Sequence, residues 1–278
     1  MNSYISTEIM GGLGNQLFQI ANLLLYNNYL NEKKIIIFKN EDNLFNYFNL
    51  PRKTFWNSLF LNQFKILEDN DYNQIKFAII SEKENHKNLI EPFTYCPYNL
   101  LFKGYFQTFK YYDENLKNQM KLLIYSNEIL VNKAKDYYNL IKDFFKSNDD
   151  NDFVSMHIRR TDYVYHNHYH HSLEIDYYNK ALDIVKDKKI VVFSDDIEWC
   201  KENFSKDFYF IDINNVEIEF LLMSLFKNNI IANSTFSLWA SFISPYNDKL
   251  VIAPKIWYGK EGPKDWNEIY HTSISILL

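Results

Sequence analysis

In the second half of the chain, short apolar runs alternate with stretches in which apolar residues recur every three or four positions. The runs have the length of buried strands, and the stretches have the period of amphipathic helices. The pattern predicts strands at 153–158, 189–193, 208–211, 229–231 and 250–253, with helices at 176–185, 197–204, 216–226 and 236–242 between them. Because strands that alternate with helices form parallel, doubly wound sheets, we predict a Rossmann-like half.

The first half shows the same alternation only at its beginning. An apolar run at 4–10 predicts a strand, and a helix at 17–30 and a buried strand at 34–38 follow it. Residues 40–110 are irregular and rich in aromatics, as acceptor pockets often are. A helix is predicted at 111–145, and the polar, acidic run after it predicts a domain boundary. We therefore expect an α/β protein with one domain at 1–150 and a second at 151–278.

A cluster of charged side chains follows the strand at 153–158. His157, Arg159, Arg160 and Asp162 come within six positions. Alternation along an extended chain puts His157 and Arg159 on one face and Arg160 on the other, so the two arginines need not serve the same partner. The guanidinium fork fits a phosphate bidentately, which predicts a diphosphate site. The alternative is a pair of arginines in ion pairs at a domain interface.

Two further strands of this half end in polar residues. Asp195 and Asp196 follow the strand at 189–193, and the strand at 229–231 leads to Asn233, Ser234, Thr235, Phe236 and Ser237. A carboxylate can accept both N–H groups of guanine, and hydroxyls at a helix start suit a phosphate. Helix capping is the equally ordinary role of these residue types. Together with Arg159, the three strand ends predict a nucleoside-diphosphate pocket at the carboxyl edge of one sheet.

A glycine-rich segment joins the first strand to the first helix, and it comprises Gly12, Leu13, Gly14, Asn15 and Gln16 after Gly11. Strand, glycine loop and helix form the usual phosphate cradle. The dinucleotide fingerprint would need glycine at Leu17, which disfavours a nicotinamide oxidoreductase. A tight strand-to-helix connection is the alternative role of this segment.

Composition narrows the class of protein. Aromatic residues make up 18% of the 278 residues, and their flat faces suit sugars. The net charge of −5 argues against a nucleic-acid partner. Two cysteines without CxxC spacing predict a reducing compartment. No basic leader or apolar run of membrane-spanning length is present in the sequence, so we expect a cytoplasmic protein, with peripheral membrane association left open.

Four motifs in this order resemble glycosyltransferase family 11, the α-1,2-fucosyltransferases. They are the runs 11–19 (GGLGNQLFQ), 157–163 (HIRRTDY), 193–196 (FSDD) and 233–237 (NSTFS). The resemblance implies a GT-B architecture of two Rossmann-like halves facing a cleft, with the acceptor mainly on the first half and GDP-fucose mainly on the second. It also implies metal-independent inversion, which transfers L-fucose to a galactose hydroxyl of an oligosaccharide or a lipid-linked surface glycan.

The resemblance also implies residue roles. Arg159 would bind the β-phosphate with His157 and Arg160 beside it, and Asp195, or else Asp196, would read guanine. Ser234 to Ser237 would hold phosphate oxygens, and Asn15 would reach the donor from across the cleft. Two arginines can replace a cation at a diphosphate, so no metal and no cofactor are expected.

The general base and the turnover itself are the open points of this interpretation. Asn167 stands where the related α-1,6-fucosyltransferases have a glutamate, so Asp162 is the leading candidate for the base, with His166 or His168 behind it. The alternatives are a nucleotide-sugar-binding protein without turnover, or the same fold with another GDP-sugar or linkage. The histidines at 166, 168, 170 and 171 are predicted to lie in a mobile, partly solvated loop rather than in a metal site.

Overall fold

Each half of the chain folds around a parallel sheet. The computed structural model describes residues 3–41, 44–45, 51–82, 91–264 and 266–278. They form two units. Unit 1 runs to Asn127 and includes Asn267–Ile269, and unit 2 comprises Glu128–Trp266 and Tyr270–Leu278.

The strands of unit 1 are β1 (Tyr4–Thr7), β2 (Ile35–Lys39), β3 (Leu44–Phe45), β4 (Pro51–Arg52), β5 (Lys65–Leu67), β6 (Phe77–Ser81) and β7 (Asn99–Lys103). Its helices are α1 (Leu13–Tyr29), α2 (Asp69–Asn73) and α3 (Glu114–Ile124). Among the described residues, five of these strands form one parallel sheet in the order β5-β2-β1-β7-β6, and β3 and β4 pair separately. The strand order reverses direction between β1 and β7, which is where open α/β sheets bind ligands.

The strands of unit 2 are β8 (Phe153–Ile158), β9 (Lys189–Ser194), β10 (Tyr209–Phe210), β11 (Asn228–Ile230), β12 (Val251–Ala253) and β13 (Ile276–Leu277). Its helices are α4 (Glu128–Phe145), α5 (Thr161–Tyr165), α6 (Ile175–Ile184), α7 (Ile197–Asn203), α8 (Val216–Ser224) and α9 (Thr235–Ile243). Within the described residues, the parallel sheet has the order β10-β9-β8-β11-β12-β13. β8 is buried along its whole length, as a central strand of a parallel sheet should be.

The α/β class and the parallel sheets agree with the sequence-based expectation, but the helix predicted at 111–145 is wrong. It is two helices, α3 and α4, which break at residues 125–127, where the Asn127 side chain donates to the Ser58 carbonyl at 2.9 Å. No glycine or proline marks this break in the sequence. The strands β5, β6 and β13 and the short helix α5 had no predicted counterpart.

The division between the units also differs from the predicted boundary at 150. Helix α4, which we placed in the first domain, belongs to unit 2. Its Tyr138 ring lies 5.0 Å from Phe226 and 6.1 Å from Phe153, between ring centroids. The boundary was misplaced because this packing joins residues far apart in the sequence, whereas the prediction relied on a local change in composition. None of the described helices combines the length and the apolar composition needed to cross a bilayer.

A polar network centred on Asp150 should contribute to holding α4 on unit 2. Its carboxylate accepts from the hydroxyls of Tyr138 (3.2 Å) and Tyr246 (2.7 Å) and pairs with Lys142 (2.7 Å). We expect Asp150→Ala to lower the free energy of unfolding by about 1–3 kcal/mol, because three donors lose one shared acceptor. Urea titration at pH 7 measures this, with the exposed α4 residue Asp136→Ala as the control. Equal stability of both variants would refute a structural role for the network.

Candidate functional site

Three neighbouring strands of unit 2 end in the polar residues that the sequence singled out. β8 lies between β9 and β11, with Ile158 opposite Ser194 and Met156 opposite Ile230. Because the strands are parallel, their carboxyl ends meet at one edge of the sheet, which is where open α/β folds bind ligands. The structure thus brings together the motifs that follow β8, β9 and β11.

The Arg159 guanidinium lies between two carboxylates at this edge. Its Nη1 is 2.8 Å from Asp195 Oδ2, and its Nη2 bonds Asp162 Oδ1. Burial by itself would lower the pKa of Arg159, but the nearby charges of Asp195 and Asp162 outweigh it and raise the pKa. The side chain is 23% exposed, so a permanent cation is fixed in place yet remains accessible.

Arg160 takes different partners from Arg159, as the alternation along the strand predicts. Its Nε donates to Asp196 Oδ2 at 3.0 Å, and its guanidinium carbon lies 3.7 Å from the centroid of the Trp199 ring. Stacking on an aromatic face together with a carboxylate contact is a common way to fix an arginine. The two arginines are thus held by separate sets of side chains.

The two aspartates predicted to read guanine both have partners within the protein. Asp195 accepts from the backbone N–H of Arg160 at 2.8 Å, from the Thr161 hydroxyl and from Arg159. Asp196 caps α7 through Trp199 N–H at 3.4 Å, which is the capping role that we considered as its alternative. A carboxylate offers about four acceptor positions, so Asp195 keeps one, whereas bidentate reading of guanine needs two. Its guanine-reading role stays a prediction and requires one donor to leave.

His157 is buried and pairs with Ser237, whose hydroxyl lies 2.9 Å from its Nδ1. Burial lowers the pKa of His157 to about 4, with Arg159 adding to the effect and Asp195 opposing it. The imidazole is therefore neutral at physiological pH. Ser237 is itself fully buried, and its hydroxyl bonds to His157. Its phosphate-binding role stays a prediction.

The remaining residues of this motif begin α9. Ser234 occupies the N-cap position without a side-chain capping bond, and Thr235 and Phe236 are half-buried. The amide nitrogen of Asn233 donates to the carbonyls of His171 and Trp257, both at 2.7 Å. Asn233 therefore ties two other segments to the start of α9, rather than only facing a ligand.

Tyr163, which the sequence reading did not single out, supports Arg159. Its ring centroid lies 5.4 Å from the Arg159 guanidinium carbon, and the His170 ring stacks on it at 4.1 Å and 1°. The Tyr163 hydroxyl donates to the Asn233 carbonyl at 3.1 Å. Burial lowers the pKa of His170 to about 4, so the stacked imidazole is neutral. Two signals pointed to Tyr163, which is the last residue of the motif at 157–163 and lies four positions after Arg159 at a helix start.

The histidine-containing segment, predicted to be a mobile and partly solvated loop, is partly solvated and is hydrogen-bonded to a later part of the chain. The Gly259 and Glu261 N–H groups donate to the carbonyls of Tyr169 and His168, each at 2.8 Å. A Cβ at Gly259 would come within 2.5 Å of the His168 oxygen, so the close approach requires glycine. Among the described residues, no three His, Cys, Asp or Glu side chains are arranged to bind one metal ion. The expectation of metal-independent chemistry stays a prediction.

The glycine segment belongs to unit 1, where most of it serves the fold. Gly11 has φ +76°, which requires glycine, and Gly12 is the N-cap of α1. Leu13, Gly14 and Gln16 are buried in the first turn of α1. The Gln16 amide donates to the carbonyls of Gly11 (3.0 Å) and Lys53 (2.8 Å), which gives this side chain a structural role. Its binding role stays a prediction. Gly12 and Asn15 are the partly exposed members, and Asn15 Oδ1 accepts from Gln107 at 2.9 Å.

Solved structures with the same fold are fucosyltransferases. The POFUT1–GDP complex superposes with a TM-score of 0.52 over 91% of this chain and 98% of that one, at 12% identity. NodZ α-1,6-fucosyltransferase soaked with GDP-fucose gives 0.50 over 88% and 94%, at 11% identity. With its parallel sheets, the chain therefore has the fold of the GT-B glycosyltransferases.

Sequence comparison is more specific. The profile described as Glycosyl transferase family 11 matches residues 2–273, and the chain belongs to that family. The O-antigen biosynthesis glycosyltransferase WbnK of Escherichia coli is 29% identical over 90% of this chain and 93% of that enzyme. An alpha-1,2-colitosyltransferase of Escherichia coli is 35% identical over 58% of this chain and 57% of that enzyme. The predicted family is confirmed.

The buried, neutral His157 should make stability depend on pH. Its pKa is about 6.5 when unfolded and about 4 when folded, so the unfolded chain binds the extra proton first as the pH falls through 6.5. We expect this group to destabilise the fold by about 3 kcal/mol between pH 7 and pH 4, with full stability above 6.5. His157→Asn keeps an amide near the position of Nδ1 but does not titrate. In urea titrations, this variant should lack the part of the pH dependence of the unfolding free energy that His157 causes.

Direct titration of the imidazole C–H resonances by NMR provides the control for this prediction. A midpoint near 4 for His157 agrees with its burial. A midpoint near 6.5 would contradict a neutral imidazole buried against Ser237.

Proposed function

We propose that the protein transfers L-fucose from GDP-β-L-fucose to a galactose hydroxyl, forming an α-1,2 linkage with inversion at the anomeric carbon. Membership of family 11 supports glycosyl transfer. The α-1,2 linkage is suggested by the name of the colitosyltransferase relative, and GDP-fucose by the NodZ structure soaked with that donor. The name of the WbnK relative supports a surface-glycan acceptor.

The observation that carries the proposal is the fixed Arg159 cation at the carboxyl edge of β8. Asp162 and Asp195 hold its guanidinium, and Tyr163 lies under it, so little rotamer freedom is left to lose when an anion binds. A partly exposed guanidinium is the group best suited to a diphosphate oxygen. The start of α9 follows the neighbouring strand β11 and offers backbone N–H groups with the Ser234 and Thr235 hydroxyls.

In the reaction, the acceptor hydroxyl attacks C1 of fucose as the bond from C1 to the β-phosphate oxygen breaks. Negative charge then develops on the leaving GDP, and Arg159 stabilises it in place of a metal ion. The hydroxyl proton must pass to a base, and Asp162 stays our leading candidate, with His166 and His168 as alternatives. Asp162 already contacts Arg159, so proton transfer to it would leave the arginine facing the newly charged GDP.

Asp195 has a second role in this proposal, because it orients Arg159. Asp195 can read guanine only after one of its three present donors is released. Asp196 has two donors, from Arg160 and Trp199, and keeps two acceptor positions for this role. For the acceptor we propose a galactose-containing oligosaccharide or lipid-linked glycan on unit 1. The protein would meet it in the cytoplasm, at the inner face of the membrane if the glycan is lipid-linked. Gly12 and Asn15 are the members of the glycine segment left to reach the donor.

A second candidate donor is GDP-colitose, because of the colitosyltransferase relative. A binding protein without turnover is the other alternative, since Asn167 replaces the glutamate of the α-1,6 enzymes. Assaying GDP-fucose and GDP-colitose side by side shows which donor the protein uses. Measuring turnover distinguishes an enzyme from a binding protein.

The deciding experiment measures GDP release from GDP-fucose by purified protein with and without lactose, in EDTA. We expect the acceptor to stimulate release and the product to carry an α-1,2 linkage by NMR. Arg159→Ala should lower kcat/KM by on the order of 100- to 1,000-fold, because the leaving charge loses its fixed counter-charge. Lys206→Ala, which removes an exposed cation from unit 2, serves as the matched control and should be unaffected.

The possible outcomes separate the alternatives. Release that is abolished by EDTA would overturn metal-independent chemistry. Tight binding of GDP-fucose without release from either donor, across a panel of galactosides, would favour the non-catalytic protein. Failure to bind GDP-fucose in calorimetry would refute the donor assignment.

Tyr163 provides a separate prediction, because its ring contacts the Arg159 guanidinium and would position it. Tyr163→Leu removes the ring between Arg159 and His170 and should weaken GDP binding by roughly tenfold, in line with a partly desolvated cation–π contact. Tyr163→Phe keeps the ring and loses only the bond to Asn233, so it should restore most of the affinity. Calorimetry with GDP measures both variants, and equal loss in the two would contradict a role for the ring face.

A further inference from the structure

A cavity of about 580 Å³ lies in unit 1, at the carboxyl end of β1. Its lining comes from residues 7–10 after β1, from Lys39 and Glu41 at the end of β2, and from residues 72–77 between α2 and β6. Small-molecule sites have volumes of roughly 300–1,000 Å³ and occur where the strand order of an open sheet reverses. Both conditions are met next to β1.

The chemistry of the lining is that of a site for hydroxyl groups. The residues that line the cavity include Glu8, Glu41, Lys39 and Thr54 together with the aromatic residues Tyr72 and Phe77. The two rings lie 5.4 Å apart between centroids. Carboxylates accept from sugar hydroxyls, and aromatic faces cover the C–H face of a sugar ring. No arginine is among the described residues that line the cavity, so this lining lacks the side chain on which the proposed diphosphate site depends.

The charges decide which sugar fits. Lys39 is paired at 3.0 Å with Glu41 and at 3.5 Å with Asp69, so its charge is already compensated. Glu8 pairs with Lys103 yet keeps a half-exposed carboxylate. Counted together with the ion-pair partners Lys103 and Asp69, the charged groups of the lining are three carboxylates and two ammonium groups, so the net charge is negative. This charge repels a pyrophosphate or a uronic acid and favours neutral hydroxyl groups.

We propose that this cavity binds a neutral hexose unit of the acceptor glycan and that Glu8 selects against acidic sugars. The proposal rests on the proposed function for its acceptor, but the cavity itself defines the ligand class. The ring sits against Tyr72 and Phe77, and its hydroxyls donate to Glu8 and Glu41.

The test compares methyl β-D-galactoside with methyl β-D-galacturonide, which differ only at C6, by saturation-transfer NMR on the full chain. Wild type should bind the galactoside at least tenfold more tightly. Glu8→Gln keeps the size of the side chain and should raise the acceptor KM about tenfold, because a charged hydrogen bond is lost. The same variant should also reduce the difference in affinity between the galactoside and the galacturonide, while the KM for GDP-fucose stays unchanged. Exposed Glu32→Gln is the matched control.

A cavity-filling variant, Thr54→Trp, should abolish galactoside binding while leaving GDP affinity unchanged, which also shows that unit 2 remains folded. Equal binding of the two methyl glycosides by wild type, or galactoside binding that survives Thr54→Trp, would overturn the proposal. If GDP-fucose does not bind, the proposed function fails, and the NMR comparison still decides the cavity on its own. Binding of neither glycoside refutes the cavity as a hexose site.

Discussion

The pairing of Arg159 with Asp162 and Asp195 is the interaction on which the site in unit 2 depends. A guanidinium that is three-quarters covered by protein is costly unless carboxylates and an aromatic face replace its water. Because Asp195 also accepts from Thr161 and from the Arg160 backbone, the same carboxylate fixes the turn from β8 into α5. The position of the cation and the local fold are therefore set by one group.

The support around Arg159 comes from distant parts of the sequence. Tyr163 lies between Arg159 and His170, and Asn233 joins the carbonyls of His171 and Trp257. The glycine at 259 allows the later segment to approach the histidine-containing segment closely. In an α/β fold the rigid sheet positions strand ends, while loops supply their polar partners. Here the loops also stiffen one another, which reduces the entropy lost when an anion binds.

The two units offer opposite electrostatics, as the proposed reaction between an anionic donor and a neutral acceptor would require. Unit 2 presents a held cation at the end of β8, and unit 1 presents a cavity with a carboxylate excess at the end of β1. Both lie at carboxyl ends of central parallel strands, although the side chains differ completely. The shared architecture sets where ligands bind, and local charge sets which ligand fits each place.

The parallel α/β class, the family and the residues that meet at the ends of β8, β9 and β11 could be predicted before the structure, because strand periodicity and a few local motifs carry that information. The sequence could not separate ligand-binding positions from those used within the fold. Gln16 and Ser237 belong to the motifs, yet burial gives their polar groups to Lys53 and His157. Three features became visible only in the folded chain: the packing of α4 on unit 2, the stack of His170 on Tyr163 and the cavity beside Glu8. Each depends on contacts between distant parts of the sequence or on an enclosed space, and no local sequence pattern encodes either.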